Sequence, residues 1–405
     1  MPRSVTLRVV LLCTLAGVVA GALTGSRPLV VASLAALLLG VVVVYTRAHV
    51  FDRLVYSRSL AQRVIGWGGE IEVRLEVANR KWLPVIWLHV RDSWPAAVEP
   101  LGFSLRHSGY QVSRILDQSY SVRWWERVSR HHRGVCRERG VHEFGPAFAE
   151  AGDPFGVAAV ERELTAVDRL VVLPKVLEVP GLPLLVGRPQ IDAPARVSLA
   201  HDPTGLVGTR PYRPGDPLRI INWRAAARRQ GLVSNRFEPT VTAQALIALN
   251  LRPMRYFYEG FDAEVMELLC VVAASLASGL AALGFGVGLL SNAYLTNAGV
   301  AVAVDPAPGA LDEILETLAR VVLHPPSPFE VLLGLEAATP RDSTDYVVVT
   351  ATLDEALARV VATLRREATT HVVFVGEPPA AHADLVDRRV ARGLDWRVAD
   401  ELPLA

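Results

Sequence analysis

Cysteine is nearly missing from this chain: Cys13, Cys136 and Cys270 are the three, far apart and odd in number. That excludes a disulfide framework, offers no zinc-binding spacing and suits a reducing compartment. A charge excess is missing too. Lys and Arg total 42 against 41 Asp and Glu, a net charge of +1, so nothing global points to nucleic acid or an acidic substrate. There is no Gly-x-Ser-x-Gly, no P-loop and no Cys/His pair in a ligating context. The stretch GFGVG (Gly284–Gly288) reads as a helix stop before a strand, without the following helix N-terminus that a nucleotide loop needs.

What is abundant is apolar surface. Hydrophobic residues make up 51% of 405, and the mean hydropathy is +0.29. The length suits two or three domains. The excess is concentrated in Val9–Gly25 and Leu29–Tyr45, two uncharged runs of 17 residues joined by Ser26-Arg27-Pro28. Each is near the lower limit for a membrane-spanning helix, and so short a link predicts an antiparallel hairpin over residues 1–50. Arg3 and Arg8 precede the first run, and Arg47, Arg53, Arg58 and Arg63 follow the second, while the far loop holds only Arg27. By the positive-inside pattern both ends face the cytoplasm. A signal peptide is the competing reading, but the second apolar run argues against it. Cys13 in Leu-Leu-Cys-Thr lacks the small residue that a lipoprotein cysteine follows.

Beyond the hairpin the period changes to two. In GEIEVRLEVAN (Gly69–Asn79), Ile71, Val73, Leu75 and Val77 alternate with charged residues, which is the pattern of a half-buried strand. Val85–Val90, Gln118–Trp125, Arg139–Val157 and Arg169–Val176 continue in that manner without an amphipathic helix. The spacing predicts an antiparallel β-sandwich over 51–180, with one of Trp124 and Trp125 in the core and the other at an interface. Residues 181–204, rich in Pro and Gly, read as a linker.

From 241 to 405 strand and helix alternate. Strands are expected at Ala243–Asn250, Phe285–Ser291, Asp345–Thr350 and His371–Gly376. Helices are expected at Phe261–Gly284, Ala310–Leu323, Leu353–Glu367 and from Ala381 onward. Apolar strands alternating with helices predict an α/β doubly wound parallel sheet, with ligands beyond the strand carboxyl ends.

Between linker and sheet, residues 205–240 hold seven Arg and no Lys, against Asp216 and Glu238. All-arginine usage favours planar, bidentate pairing with carboxylate or phosphate. Pro214-Gly215-Asp216 is a turn triplet. Leu218–Arg229 begins extended and ends as a helical turn, leaving the Trp223 ring to cap the sheet.

TRPYRPGDPLRIINWRAAARRQGLVSNRFE resembles the signature of the bacterial domain-of-unknown-function family fifty-eight. The matching positions are Arg210, Tyr212, Pro214, Gly215, Asp216, Arg219, Ile221, Trp223, Ala227, Arg228, Leu232 and Glu238. Arg139-Gly140, Gly145-Pro146 and Asp153-Pro154-Phe155-Gly156 match an upstream segment of the same family, whose members commonly open with two transmembrane helices. The resemblance implies a von Willebrand factor A-like C-terminal domain. Such a domain usually holds a cation through Asp-x-Ser-x-Ser after its first strand, a donor set suited to magnesium. Here Asn250, Arg252 and Met254 stand at those three places, so no metal and no cofactor is expected.

The resemblance implies a membrane-anchored scaffold or adaptor working with a MoxR-type AAA+ ATPase in complex or envelope assembly. Arg210, Tyr212, Gly215, Asp216, Arg219, Trp223, Arg228 and Glu238 would bind that partner or lock domains together. Two other classes stay open. One is a hydrolase using Asp216 or His201, although an Asp after Pro-Gly is more often a turn former. The other is a binder of anionic lipid or nucleic acid through the arginine strip, for which stacking aromatics are lacking. His131-His132 with Cys136 has no second ligand pair and reads as solvated surface.

Overall fold

The computed structural model describes residues 2–107, 113–156, 159–165, 167–183, 206–212, 221–229, 232–237, 243–252, 262–295, 298–322 and 328–405. They form two compact units, Met1–Leu173 and Pro174–Ala405.

The first unit opens with helices α1 (Pro2–Thr24) and α2 (Arg27–His49), which pack as a hairpin. Gly25, at φ +66°, makes the turn, a conformation a side chain would strain. A Cβ on Gly17 would lie 2.6 Å from Ser33 Oγ, and one on Gly21 would lie 3.0 Å from the Val30 backbone nitrogen. Small residues one helical turn apart thus let the two backbones approach closely. At 23 residues, α2 is about 35 Å long, enough for the roughly 30 Å apolar layer of a bilayer. The mid-chain helix Ala263–Ala282, shorter at 20 residues and less apolar, is also long enough to cross, but 72% of its apolar window is buried, as in the core of a soluble domain.

Twelve strands follow. They are β1 (Leu54–Leu60), β2 (Val64–Ile65), β3 (Glu70–Asn79), β4 (Val85–Pro95), β5 (Val98–Leu101) and β6 (Arg106–His107), then β7 (Ser113–Val122), β8 (Arg127–Cys136), β9 (Gly140–Phe144), β10 (Ala147–Gly152), β11 (Ala159–Thr165) and β12 (Asp168–Val172). They pair as β1-β3-β8-β5, β11-β10-β4-β7-β6 and β2-β12-β9. All the pairings are antiparallel except β2 with β12. Alternation sets the core: Ile71, Val73, Leu75 and Val77 of β3 are buried with Leu88 and Val90 of β4 and Tyr120 and Val122 of β7. Trp94 joins them edge-on to Phe103 and Phe144, its indole nitrogen donating to Val98 O at 2.8 Å. Val50 and Phe51, which leave α2, belong to the same core.

Trp124 and Trp125 are both exposed, 62% and 66%, which corrects the expectation of one core residue. They lie between β7 and β8, where strand alternation no longer assigns faces.

The second unit begins with a strap at residues 174–182. Glu178 N donates to Asp400 O, Leu402 N donates to Glu178 O, and Leu177 N donates to Ser275 Oγ. The sequence reading runs the sandwich to 180, whereas the two compact units divide at Leu173/Pro174. Next come β13 (Leu206–Pro211), α3 (Trp223–Arg229), β14 (Val233–Phe237), β15 (Gln244–Leu249), α4 (Ala263–Ala282), β16 (Gly286–Leu295) and β17 (Ala298–Ala307). The chain continues through α5 (Leu311–Arg320), β18 (Val321–Val322), α6 (Phe329–Ala338), β19 (Thr344–Thr350), α7 (Glu355–Glu367), β20 (Thr370–Val375) and β21 (Arg388–Val390).

The main sheet has the order β17-β16-β15-β19-β20-β21, with β18 on β16. The strands from β16 to β21 run parallel, and β17 and β18 are antiparallel to β16. Leu246, Ala248, Tyr346, Val348, Val372 and Phe374 face α6 and α7 in one cluster. The alternate positions Ala245, Ile247, Val347 and Val373 are fully buried as well, and α4 touches β15, β16 and β19. Burial on both faces explains why these strands read as continuous apolar runs.

The helix expected from Ala381 is a short 3-10 segment, Ala380–Leu385, broken by His382 at φ −134°, and β21 follows it. The open edge of β20 takes up Arg388–Val390 as a parallel strand, a tertiary pairing that overrides local preference. A Cβ on Gly288 would lie 2.7 Å from both Pro306 N and Val304 O. Those are backbone atoms that cannot swing aside. Gly288→Ala is therefore expected to lower stability by about 1–3 kcal/mol through overpacking, read as a fall in thermal midpoint.

Candidate functional site

The carboxyl ends of β15 and β19 converge with Asn292, inside β16, on a closed set of amides and hydroxyls. Asn250, 2% exposed, sits just past β15. Its Nδ2 donates to Thr350 Oγ1 at 3.0 Å and to Thr352 Oγ1 at 3.3 Å. Its Oδ1 accepts from Asn292 Nδ2 at 3.1 Å and from the Arg252 backbone N at 3.1 Å. Asn292 Oδ1 in turn accepts from Leu251 N at 3.0 Å, and the Thr350 hydroxyl donates to Thr352 O at 2.7 Å. Thr352 Oγ1 donates to Arg252 O at 3.3 Å.

Each side-chain oxygen that would face a hard cation here already accepts a hydrogen bond. The site lies where a ligand would be expected in an open α/β sheet, but its polar groups satisfy one another. Among the described residues no three His, Cys, Asp or Glu side chains are placed to share a metal ion. Asn250 and Arg252 lie just past the end of β15, and Met254 lies outside the described residues. Asn292 and Thr352 were missed. The polar pair Ser291-Asn292 closing the apolar run FGVGLL was the available signal.

The arginine-rich segment is described in part. β13 pairs antiparallel with β14, and Ile221 bridges Ser234. Asn222 caps α3, its Oδ1 accepting from Ala225 N at 3.0 Å, which fits the helical turn expected there. Tyr212 N donates to Leu232 O at 2.9 Å. Trp223 is 63% exposed rather than capping the sheet, because it occupies the first helical position while Ile221 and Val233 take the buried places. Arg228 is exposed. Gly215, Asp216, Arg219, Glu238 and His201, and the side chain of Arg210, lie outside what is described.

In the first unit one charged cluster is buried. Arg58 Nη1 meets Asp92 Oδ1 at 2.5 Å, its Nε donates to Asp168 Oδ2 at 2.8 Å and its Nη2 donates to Phe144 O at 2.8 Å. Tyr56 OH donates to the other oxygen of Asp92 at 2.7 Å. Burial pushes the Asp92 carboxyl up while the Arg58 guanidinium pulls it down. The cluster joins β1, β4 and β12, which lie in three different sheets.

His131 pairs with Glu72 at 2.6 Å on the exposed face of β8. His132 is half-buried beside Phe103 and Gln118, with its pKa lowered by burial. Burial raises the thiol of Cys136 to about 11, which leaves it protonated and a poor ligand at neutral pH.

Among known proteins, residues 208–378 match the family described as "Protein of unknown function DUF58". The chain is 23% identical over 245 residues to the uncharacterized protein YeaD of Bacillus subtilis (strain 168), across 58% of this chain and 55% of that protein. It therefore spans about half the length of the curated relative it matches. Among solved structures, a CARDB domain from Pyrococcus furiosus is 16% identical, with a TM-score of 0.19 over 30% of this chain and 96% of its own. A cohesin module from Clostridium perfringens is 10% identical, with a TM-score of 0.21 over 29% and 97%. The segment at residues 208–378 is thus similar to the DUF58 family, and the similarity stops short of half the chain.

Proposed function

We propose that this protein is a membrane-anchored adaptor whose second unit presents a surface to a protein partner. The observation that carries the reading is the join between anchor and body. The apolar α2 continues through Val50 and Phe51 into the sandwich core with no intervening linker, so the hairpin is a rigid foot rather than a tethered leader. By the distribution of arginines about the hairpin, both units face the cytoplasm.

The order of the main sheet and its enclosure between helices support an A-like reading of the second unit. The self-satisfied Asn250 network supports a metal-free mode of contact there. The partner expected from the family resemblance is a MoxR-type AAA+ ATPase. Trp223, exposed at the start of α3, is a contact that can be removed without opening a core. In the test, tagged protein is purified from detergent-solubilised membranes with ATP and magnesium. An AAA+ ATPase is expected to co-purify with the parent and to fall at least tenfold with Trp223→Ala, at unchanged thermal midpoint. Absence of any ATPase from the parent sample would overturn the reading.

A further inference from the structure

Three chain segments meet at the foot of α2: residues 50–53, 80–84 and 123–126. Backbone bonds stitch them together. Arg80 N donates to Arg53 O at 3.0 Å, Trp125 N to Lys81 O at 3.3 Å, and Asn79 N to Glu126 O at 2.9 Å. The Asn79 side chain donates to Leu83 O and to Arg123 O, both at 2.9 Å. The Lys81 ammonium, 6% exposed, donates to the carbonyls of Val50 and Asp52, as a cation at a helix C-terminus is expected to do.

On this well-fastened base the large side chains point outward. Trp82 is 65% exposed, Trp124 62% and Trp125 66%. Trp125 holds a left-handed φ of +56°, which a bulky residue adopts at a cost. The Trp82 ring lies 6.2 Å from that of Tyr45 on the last turns of α2. Arg53, Arg80 and Arg123 are exposed around these rings. Three exposed indoles in one place on a soluble surface call for a partner. An aromatic cluster with a basic fringe, at the end of an apolar helix, has the composition of a bilayer interface.

We propose that Trp82, Trp124 and Trp125 form an interfacial belt that seats the β-sandwich on the lipid headgroup layer where α2 leaves the bilayer. The proposal rests on the membrane-anchor reading above. Its occupant is lipid because the cluster is continuous with α2: the backbone bonds fix the indoles beside the helix end, at the depth where an apolar span meets water. The apolar bodies of the rings enter the acyl boundary and their N–H groups reach the headgroup oxygens. The arginines meet the anionic lipid phosphates.

The test uses the full chain in vesicles of phosphatidylcholine with a quarter phosphatidylglycerol, with and without lipids brominated at shallow acyl positions. Bromine is expected to remove about a third of the tryptophan emission of the parent and little from the variant carrying Trp82→Phe, Trp124→Phe and Trp125→Phe. Both are expected to resist carbonate extraction. Equal quenching of parent and variant would overturn the proposal while leaving the anchor intact. Indoles shielded from acrylamide yet untouched by bromine would overturn it in favour of a protein cover. Release of the parent by carbonate would overturn the anchor itself, an outcome distinct from the other two.

Discussion

Replacing Arg58 with Met lowers the stability of the first unit by about 3–5 kcal/mol, the usual consequence of leaving one partner of a buried ion pair uncompensated. The Arg58 side chain is 1% exposed and that of Asp92 5%, so no water replaces the guanidinium. Three acceptors lose their donors at once: Asp92, Asp168 and the Phe144 carbonyl. Tyr56→Phe removes only one hydrogen bond to Asp92 and is expected to cost about 1–2 kcal/mol. The pH dependence has a definite sign. Burial already raises the carboxyl of Asp92, and Arg58 opposes that rise, so in Arg58→Met it titrates higher still. A carboxyl with a folded pKa above its unfolded value near 3.9 favours the fold more in acid. The gap between variant and parent therefore narrows as pH falls toward about 4 and is widest at neutrality. Unfolding in detergent, followed by tryptophan emission, reads this unit: six of the eight indoles lie within residues 1–173. Equal stability of Arg58→Met and parent at neutral pH would show that the cluster does not join the sheets.

Asn250→Asp is the second large effect, a loss of about 2–3 kcal/mol in the second unit that magnesium does not restore. Nδ2 of Asn250 is the donor for the hydroxyl oxygens of Thr350 and Thr352. Those hydroxyls direct their own protons to Thr352 O and Arg252 O. A carboxylate oxygen in that place would face two lone pairs instead. The buried aspartate would titrate high, so the deficit shrinks in acid and grows as pH rises above the ordinary carboxylate range. Thermal midpoints with and without millimolar magnesium decide the matter. A rise with magnesium in the variant would mean that the introduced carboxylate, with the Thr350 and Thr352 hydroxyls, can hold a cation there.

Period and composition carried a long way. The hairpin was legible because two uncharged runs lie three residues apart, and the sandwich because Ile71 to Val77 alternate. The alternation of strand and helix after residue 241 was legible because strands buried on both faces must be apolar throughout. The signature segment was readable as a pattern that ends in a helical turn, while its Asn222 cap emerged only in the structure.

What the sequence by itself determined, then, is the kind of most elements, the last one after Ala381 excepted, and the polar Asn250 closing an apolar strand, since these are written in neighbouring residues. The tertiary structure alone decided the rest. Arg58 met Asp92 and Asp168 from 34 and 110 positions away. Asn292 came to Asn250 from the next strand of the sheet. Residues 388–390 became a strand because β20 offered an edge, and Trp82, Trp124 and Trp125 gathered at the foot of α2 because three turns share backbone bonds there. Local propensity and periodicity act over a few residues. These contacts depend on strand pairing between distant segments, which no short window of sequence contains.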